Sequence, residues 1–309
     1  MSYREADGRT VETQSLERMG TDGHYEPYLD IEKETARVDT DTMRTVERSY
    51  ARDVNGGRQL VQMTEGQSQT LADGCVKAVR TTSDPDVNGT FQPVQKEVEI
   101  TKQISPDVKQ TTTSDFVLDA GELTESFRTE QRQVRRGHTV ESRKTNLVRD
   151  INARWQTREV RQGISTEDGT QRFEEENILR PDSSGKMELV QRTTKKETTL
   201  ADGDKQTITE IYSIDLPGVA RDEKLHLVDR LTAVVKLGQN GQLSMQVKVE
   251  NPNPGSPADG MRVTTQSVDV IAHRTDGIAH ETNSVNGIDL NGNMGVVRVD
   301  IGTSGDPEQ

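Results

Sequence analysis

The sequence predicts an all-β protein, an extended, twisted or curved antiparallel β-meander built from hairpin repeats of about 32 residues. Three observations support this fold class. Turn motifs that begin with Asp recur along the chain, the segments between them are rich in Thr and Val, and a second family of turns falls between the first. Because reversals this frequent leave no room for crossover connections, neighbouring strands must run antiparallel.

The first family of turns is predicted to form hairpin tips. An Asp at the first position can accept a hydrogen bond from the backbone N–H two residues on. Asn and Gly tolerate the positive φ of a type I turn with a G1 bulge. The family comprises DVNG at Asp53 and Asp86, DAGE at Asp119, DINA at Asp150, DSSG at Asp182 and DLPG at Asp215.

The second family of turns is predicted to close the opposite ends of the strands. Most of its members contain Gly after Asp, a pair that favours tight reversals. Each repeat therefore consists of two strands and two turns. The members are LADGC around Asp73, SPDV around Asp107, RRGH around Gly137, TEDG around Asp168, LADGD around Asp202, and the pairs at Asn240 and Asp276.

Composition limits the classes of function. Only 30% of the 309 residues are hydrophobic and 29% are charged, which approaches the composition of disordered chains; the regular turns argue against disorder. The net charge of −13 disfavours nucleic acid as a partner, because that affinity depends on Lys and Arg. We find no apolar run of about 20 residues that would span a membrane, and no signal peptide. The single cysteine, Cys75, permits no intramolecular disulfide and is expected to be incidental.

Three regions are predicted along the chain. Residues 1–20 are interpreted as a flexible N-terminal leader and residues 21–224 as the hairpin array. Residues 225–309 are more apolar and are interpreted as a continuation or cap of the same sheet.

Apolar residues cluster beside the Asp turns, at one end of each hairpin. Stacked hairpins would bring them together as one stripe along an edge of the sheet, and an exposed stripe of this kind marks an interaction surface. The predicted stripe comprises Phe91, Val94, Phe116, Leu118, Leu123, Leu147, Trp155, Ile178, Leu179, Met187, Leu189, Leu225 and Leu227.

Candidate residues for metal binding and catalysis are few. Asp84, Asp86 and Asn88 match the first half of a calcium loop, but Gln95 stands where a bidentate acid is expected, so a hairpin turn is the favoured interpretation. We expect no cofactor. No catalytic motif is found and the prediction is a protein that is not an enzyme. The histidines do not have the spacing of zinc ligands: His24, His138, His226, His273 and His280.

Two resemblances accompany these patterns. The segment YARDVNGGRQL, residues 50–60, resembles the Tyr-Asp repeats of Rhs-type shell proteins. That resemblance implies hairpins coiled into a hollow shell around a cargo. The longer pattern of Asp turn, L-x-V-Q-R strand, Asp-Gly turn and Thr-rich strand is similar to uncharacterised, secreted bacterial β-hairpin repeat proteins of the acidobacterial kind. It implies an extended sheet and a surface location.

The sequence therefore predicts a non-catalytic structural repeat protein, extracellular or at the cell surface. Its predicted partners are copies of itself, joined by strand addition and sealed by the apolar stripe into a filament or scaffold. One alternative is a module that binds polysaccharide or protein on the polar sheet face. Another is a shell-forming segment of the Rhs kind. An enzyme on a parallel β-solenoid conflicts with the tight Asp-Gly tips.

Overall fold

The computed structural model describes residues 2–6, 9–19, 23–53, 56–215, 224–238, 242–253, 260–273, 279–288 and 293–304. These residues form nineteen β-strands and contain no helix. The first ten strands are β1 (Ser2–Ala6), β2 (Arg9–Met19), β3 (Tyr25–Arg37), β4 (Thr42–Arg52), β5 (Arg58–Thr70), β6 (Val76–Pro85), β7 (Phe91–Ser105), β8 (Val108–Asp119), β9 (Glu122–Arg136) and β10 (Thr139–Arg149). The other nine are β11 (Trp155–Asp168), β12 (Gln171–Pro181), β13 (Met187–Thr199), β14 (Lys205–Ser213), β15 (His226–Leu237), β16 (Leu243–Pro252), β17 (Met261–His273), β18 (Ala279–Ile288) and β19 (Met294–Ser304).

The chain divides into two compact units. Unit 1 comprises Met1–Val134 and Lys144–Arg158, and unit 2 comprises Arg135–Arg143 and Glu159–Gln309. In unit 1 each strand from β1 to β9 pairs antiparallel with the next strand in sequence. In unit 2 the strands from β11 to β19 follow the same rule. The predicted fold class, an antiparallel β-meander of hairpin repeats, is confirmed.

The N-terminal region differs from its sequence interpretation. Residues 1–20 were assigned to a flexible leader, but they contain β1 and β2, and β2 is in register with β3 from Arg9 to Met19. The stretch Arg9–Thr13 already alternates in the manner of a strand, with the apolar Val11 between the polar residues Thr10 and Glu12. Its low hydrophobicity, which suggested a leader, is shared by the strands that follow.

Four Asp turns adopt the predicted geometry. At Asp86 the backbone C=O accepts the N–H of Gly89 at 2.9 Å, and the N–H donates to the C=O of Thr90 at 2.8 Å. The carboxylate Oδ1 accepts the backbone N–H of Asn88 at 2.8 Å and that of Thr90 at 2.9 Å. The corresponding pairs of backbone bonds are present at Asp53, Asp150 and Asp182. Each is a three-residue hairpin loop that ends in a residue with positive φ.

The turn at Asp119 is of a different type. Asp119 and Glu122 are register partners, so its loop has only two residues. These are Ala120, with φ 48°, and Gly121, with φ 89°. Two positive φ values are the requirement of a type I′ turn. The turns at Asp215, Asn240 and Asp276 fall wholly or partly outside the described residues.

A β-bulge recurs beside the Asp turns and was not predicted. Eight register shifts occur at the same end of the hairpins: five beside the turns at Asp53, Asp86, Asp119, Asp182 and Asp215, and three beside the connections β2–β3, β16–β17 and β18–β19. A ninth shift, at Ile104, lies at the opposite end, beside the β7–β8 turn. A bulge bends its strand and increases the local right-handed twist, so each of these hairpins is bent at the same end. At this end of the hairpins, the bulge residues that have no register partner are Tyr28, Val61, Val94, Ser126, Val190, Val228, Thr264 and Val297.

Few side chains are buried in either unit. Among the described residues, the buried hydrophobic side chains are Val46 and Cys75 in unit 1 and Val160, Ile178 and Ile214 in unit 2. Polar cross-strand pairs supplement this small core. In the described residues they include Thr64 with Thr82 at 3.1 Å and Thr101 with Thr111 at 3.0 Å between hydroxyl oxygens. Such pairs contribute roughly 0.2–1 kcal/mol each, so many strands are needed for stability.

Candidate functional site

Four residues of the predicted stripe share one sheet face of unit 1. Register partners share a face, and successive residues alternate between faces outside bulges. By this rule Phe91, Phe116, Leu118 and Leu123 all project from the face that carries Tyr50 and Leu60. Their exposure ranges from half-buried for Phe91 to 46% for Leu118. Val94 is the bulge residue of β7. Leu147 and Trp155, which follow in the same unit, are half-buried.

The same rule defines a second group in unit 2. Leu179 is the register partner of Val160 and of Leu189, and Pro181 is the partner of Met187. These residues and Leu227, the partner of Tyr212, share a face. Ile178 projects from the opposite face, where it is 5% exposed, so this stripe residue contributes to the small core instead. Leu225 precedes β15 and is half-buried.

The bulge is what brings these side chains together, and a short sequence signal accompanies it. Leu189 and Arg192 are three positions apart, so in a regular strand their side chains would lie on opposite faces. Because Val190 is a bulge residue between them, the two side chains share one face. The bulged valines Val61, Val94 and Val190 stand eight residues after their turn Asp and are followed by Gln. The repeated Val-Gln pair could therefore have located the bulge.

A buried acid lies beside the stripe in unit 1. Asp30 is 4% exposed, and its Oδ2 accepts a hydrogen bond from Arg52 Nε at 2.8 Å while Arg58 Nε lies 3.2 Å away. The bond from Arg52 is the main reason why the pKa of Asp30 lies below its ordinary value, and Ser15 adds another bond at 2.9 Å. The Arg58 guanidinium stacks 4.2 Å above the Tyr50 ring. The cluster links side chains from four consecutive strands, β2 to β5.

An aromatic cluster follows along unit 1. Burial alone would raise the pKa of Glu125, but the side-chain bonds from Arg128 and Ser114 lower it below its ordinary value. Both Arg128 bonds to Glu125 are 3.0 Å long, and the guanidinium lies 4.7 Å above the Trp155 ring. Arg128 therefore links the acid to the only tryptophan in the chain.

Unit 2 contains comparable acid–arginine clusters. Burial acts to raise the pKa of Glu159, and bonds from Arg161 at 2.7 Å and Arg180 at 3.0 Å bring it below the ordinary value. The Tyr212 hydroxyl donates to Glu210 at 2.7 Å, which lowers the pKa of the acid and raises that of the phenol. These carboxylates are held by bonds from neighbouring arginine and tyrosine side chains.

Strand β19 is the most exposed apolar element. It is in register with β18 on one side, and the structure gives it no other register partner within the described residues. Its exposed side chains are Met294 (43%), Val296 (66%), Val297 (66%) and Val299 (54%). Arg298 and Asp300 pair with each other at 2.7 Å. The strand contains neither Lys nor Pro, the residues that often protect sheet edges.

Strand β2 has a half-open edge. The short strand β1 covers only Arg9–Thr13 of β2, leaving Gln14–Met19 paired with β3 alone in the described part of the chain. Exposure changes at that point: five of the six residues from Gln14 to Met19 are exposed, and Met19 is 63% exposed.

The calcium candidates are engaged within the hairpin. Asp84 accepts a bond from Gln62 Nε2 at 3.1 Å, and Asp86 accepts the two backbone N–H groups of its turn. Asn88 supplies one of those N–H groups. In the described ranges there is no group of three or more His, Cys, Asp or Glu placed to hold a metal ion.

The thiol is buried, and the exposed aromatic residues among those described lie on three strands: Tyr25 and Tyr28 on β3, Phe127 on β9 and Phe173 on β12. Cys75 is 6% exposed, and its Sγ donates to Asp73 Oδ2 at 3.1 Å, which raises the pKa of the thiol. Phe127 (42%) and Phe173 (39%) are exposed, but they belong to different units. In the residues that the structure describes, no helix has the length and apolar character of a membrane span.

Comparison with known proteins adds no function. No protein-family model and no curated protein matches the chain. Among solved structures, a porin-like protein from Bacteroides uniformis ATCC 8492 aligns over 90% of this chain and 96% of its own, with 10% sequence identity and a TM-score of 0.13. A TM-score this low carries no argument about fold or function.

Proposed function

We propose that the protein is a non-catalytic structural repeat protein that assembles head to tail by strand addition, as an extracellular filament or surface scaffold. The observation that carries the proposal is the exposed apolar edge of β19. An edge strand presents unpaired N–H and C=O groups, and pairing with a strand of another chain satisfies them.

The open half of β2 is the acceptor for β19 of the next copy. Each region lies beside the connection within its own hairpin, β2–β3 or β18–β19, and Met294–Val299 matches Gln14–Met19 in length. An antiparallel arrangement sets Met294 near Met19 and Val299 near Gln14, and the remaining residues of β19, Asp300–Ser304, then take the place of β1 beside Arg9–Thr13 of β2. Because the two edges differ, the contact is heterologous, and heterologous contacts that do not close a ring generate filaments.

Surface area favours association. The chain exposes 20,880 Å², whereas a compact monomer of 34.4 kDa exposes about 12,900 Å². The excess reflects the small core and the half-exposed stripes. Covering an exposed valine such as Val296 contributes on the order of 1.5 kcal/mol, and the stripes offer further apolar area to neighbouring copies.

Sedimentation velocity with paired edge variants tests the proposal. Val299→Lys places a charge on the donor edge and Met19→Lys places one on the acceptor edge, so either variant alone should remain monomeric. Mixed in equal amounts they should form a dimer, because each retains the edge that the other lacks. Val87→Lys is the matched control, since Val87 is fully exposed at a hairpin tip, and this variant should polymerise like the unmodified chain.

The outcomes separate the alternatives. An unmodified chain that stays monomeric at high concentration refutes assembly. Polymerisation of Val299→Lys excludes β19 as the donor. If Met19→Lys dimerises on its own, the contact joins two β19 strands and the head-to-tail arrangement is wrong.

A further inference from the structure

A groove lined by arginines lies on the stripe-bearing face of unit 1. Its volume is about 520 Å³, and its walls include Arg9, Arg37, Arg44 and Arg48. The floor includes Ala36 and Val46. Four cations around one groove are unexpected in a chain with a net charge of −13.

The strand register builds this groove. Arg9 is the partner of Ala36, which is the partner of Arg44, so the two arginines stand on either side of an alanine in one cross-strand row. Two strand spacings separate the backbones of β2 and β4 by about 10 Å. The short Ala36 side chain leaves the space between the guanidiniums open. Buried Val46, in the adjacent row, completes an apolar floor.

Two glutamates orient the arginines without neutralising all four. Glu34 lies 3.1 Å from Arg9 and 3.9 Å from Arg48, and Glu65 lies 2.8 Å from Arg44. Arg37 donates to two backbone carbonyls, those of Asp39 and Thr40. Arg37 also interacts electrostatically with the Asp39 carboxylate. Among the residues that line the groove, four arginines stand against one acid, Glu34, so the lining retains an excess of positive charge.

We propose that this groove binds an oxyanion, a phosphate, sulfate or carboxylate group of a ligand. Guanidinium groups match the geometry of these anions and can donate two parallel hydrogen bonds to one group. Arg9 and Arg44 are 61% and 59% exposed. Exposed ion pairs of this kind contribute little to stability, so both side chains can exchange a glutamate for a ligand at low cost.

Titration calorimetry with three probes tests the site: inorganic phosphate, inorganic sulfate and digalacturonate. The relative affinities identify whether the anion is a free ion or a sugar carboxylate. Arg9→Ala and Arg44→Ala should each weaken binding by about tenfold, the effect of one hydrogen bond to a charged group. Raising the salt concentration should weaken it further, because exposed charges are screened.

Arg80→Ala is the matched control. Arg80 is 57% exposed and lies 3.7 Å from Glu47, but the register places it on the opposite face of the same unit. Its removal should leave the affinity unchanged. Unchanged circular dichroism of all three variants excludes loss of fold as the cause. The inference is overturned if none of the probes binds at 10 mM, a limit of roughly 2.7 kcal/mol in affinity, or if Arg80→Ala weakens binding as much as the other two. Repeating the titration on Val299→Lys separates anion binding from self-association.

Discussion

Ala153 occupies a turn position at which glycine is expected to be more stable. It is the fourth residue of the Asp150 turn and has φ 61°, whereas the equivalent Gly89 of the Asp86 turn has φ 79°. The left-handed conformation costs a residue with a Cβ about 1–2 kcal/mol. Glycine also raises the conformational entropy of the unfolded chain, which offsets roughly 0.4–1 kcal/mol of this stabilisation. We therefore expect Ala153→Gly to stabilise the protein by about 0.5–1 kcal/mol.

The reciprocal change, Gly89→Ala, should destabilise the protein by the same amount. A Cβ on Gly89 would meet nothing within 4 Å, so backbone conformation alone decides the effect. Gly66→Ala is the control, because Gly66 lies within β5, lacks a positive φ, and its Cβ would make only ordinary contact with Thr45 at 3.7 Å. It should not lower stability.

Urea denaturation measures these changes. With an m value of about 2–3 kcal/mol per M, the midpoints should move by about 0.2–0.5 M, upward for Ala153→Gly and downward for Gly89→Ala. The reasoning is refuted if both variants move in the same direction, or if Gly66→Ala destabilises as much as Gly89→Ala.

Three further predictions follow from the turns and clusters. Asp150→Ala should lower the free energy of unfolding, measured by urea denaturation, by about 1–2 kcal/mol, because the backbone N–H groups of two turn residues lose their acceptor Oδ1. Asp119→Ala, in the two-residue turn, should lower it by less than about 0.5 kcal/mol. Equal losses would contradict the turn assignment. The pKa of Asp30 is lowered in the fold, so its stabilisation is complete above pH about 4 and is lost as the pH falls through the folded pKa; Asp30→Asn should flatten the acid limb of a stability–pH profile, and an unchanged profile would count against the cluster. Arg128→Ala should shift the emission of Trp155 to longer wavelength, because the guanidinium that covers the ring is removed; an unshifted spectrum would show that this contact is absent in solution.

The hairpin architecture was predictable because turns carry local chemistry. The Asp, Asn and Gly of the DVNG motif at Asp86 specify a loop by their own φ preferences and side-chain bonds, independently of distant residues. The two-residue turn at Asp119 was not distinguished, because Ala120 is an unusual residue at positive φ. The strands at residues 2–19 were missed because a polar edge strand has the composition of a leader.

The faces of the stripe could not be assigned by alternation alone. One bulge reverses the phase of every later residue in a strand, as between Leu189 and Arg192, and bulges depend on pairing across the hairpin. The acid–arginine clusters were likewise hidden, because charged residues are frequent on every strand. Asp30 became distinct only when the register placed Arg52 and Arg58 beside it.

Amide hydrogen exchange of β19 at several protein concentrations tests the assembly account most directly. Strand addition would give the outward N–H groups of Met294–Val299 a partner, so their exchange should slow as the concentration rises, together with that of Gln14–Met19 in β2. The N–H groups of the Asp86 turn, which are bonded within the hairpin, should not change. Exchange in β19 and β2 that is independent of concentration, in a sample shown to be associated, would contradict the account.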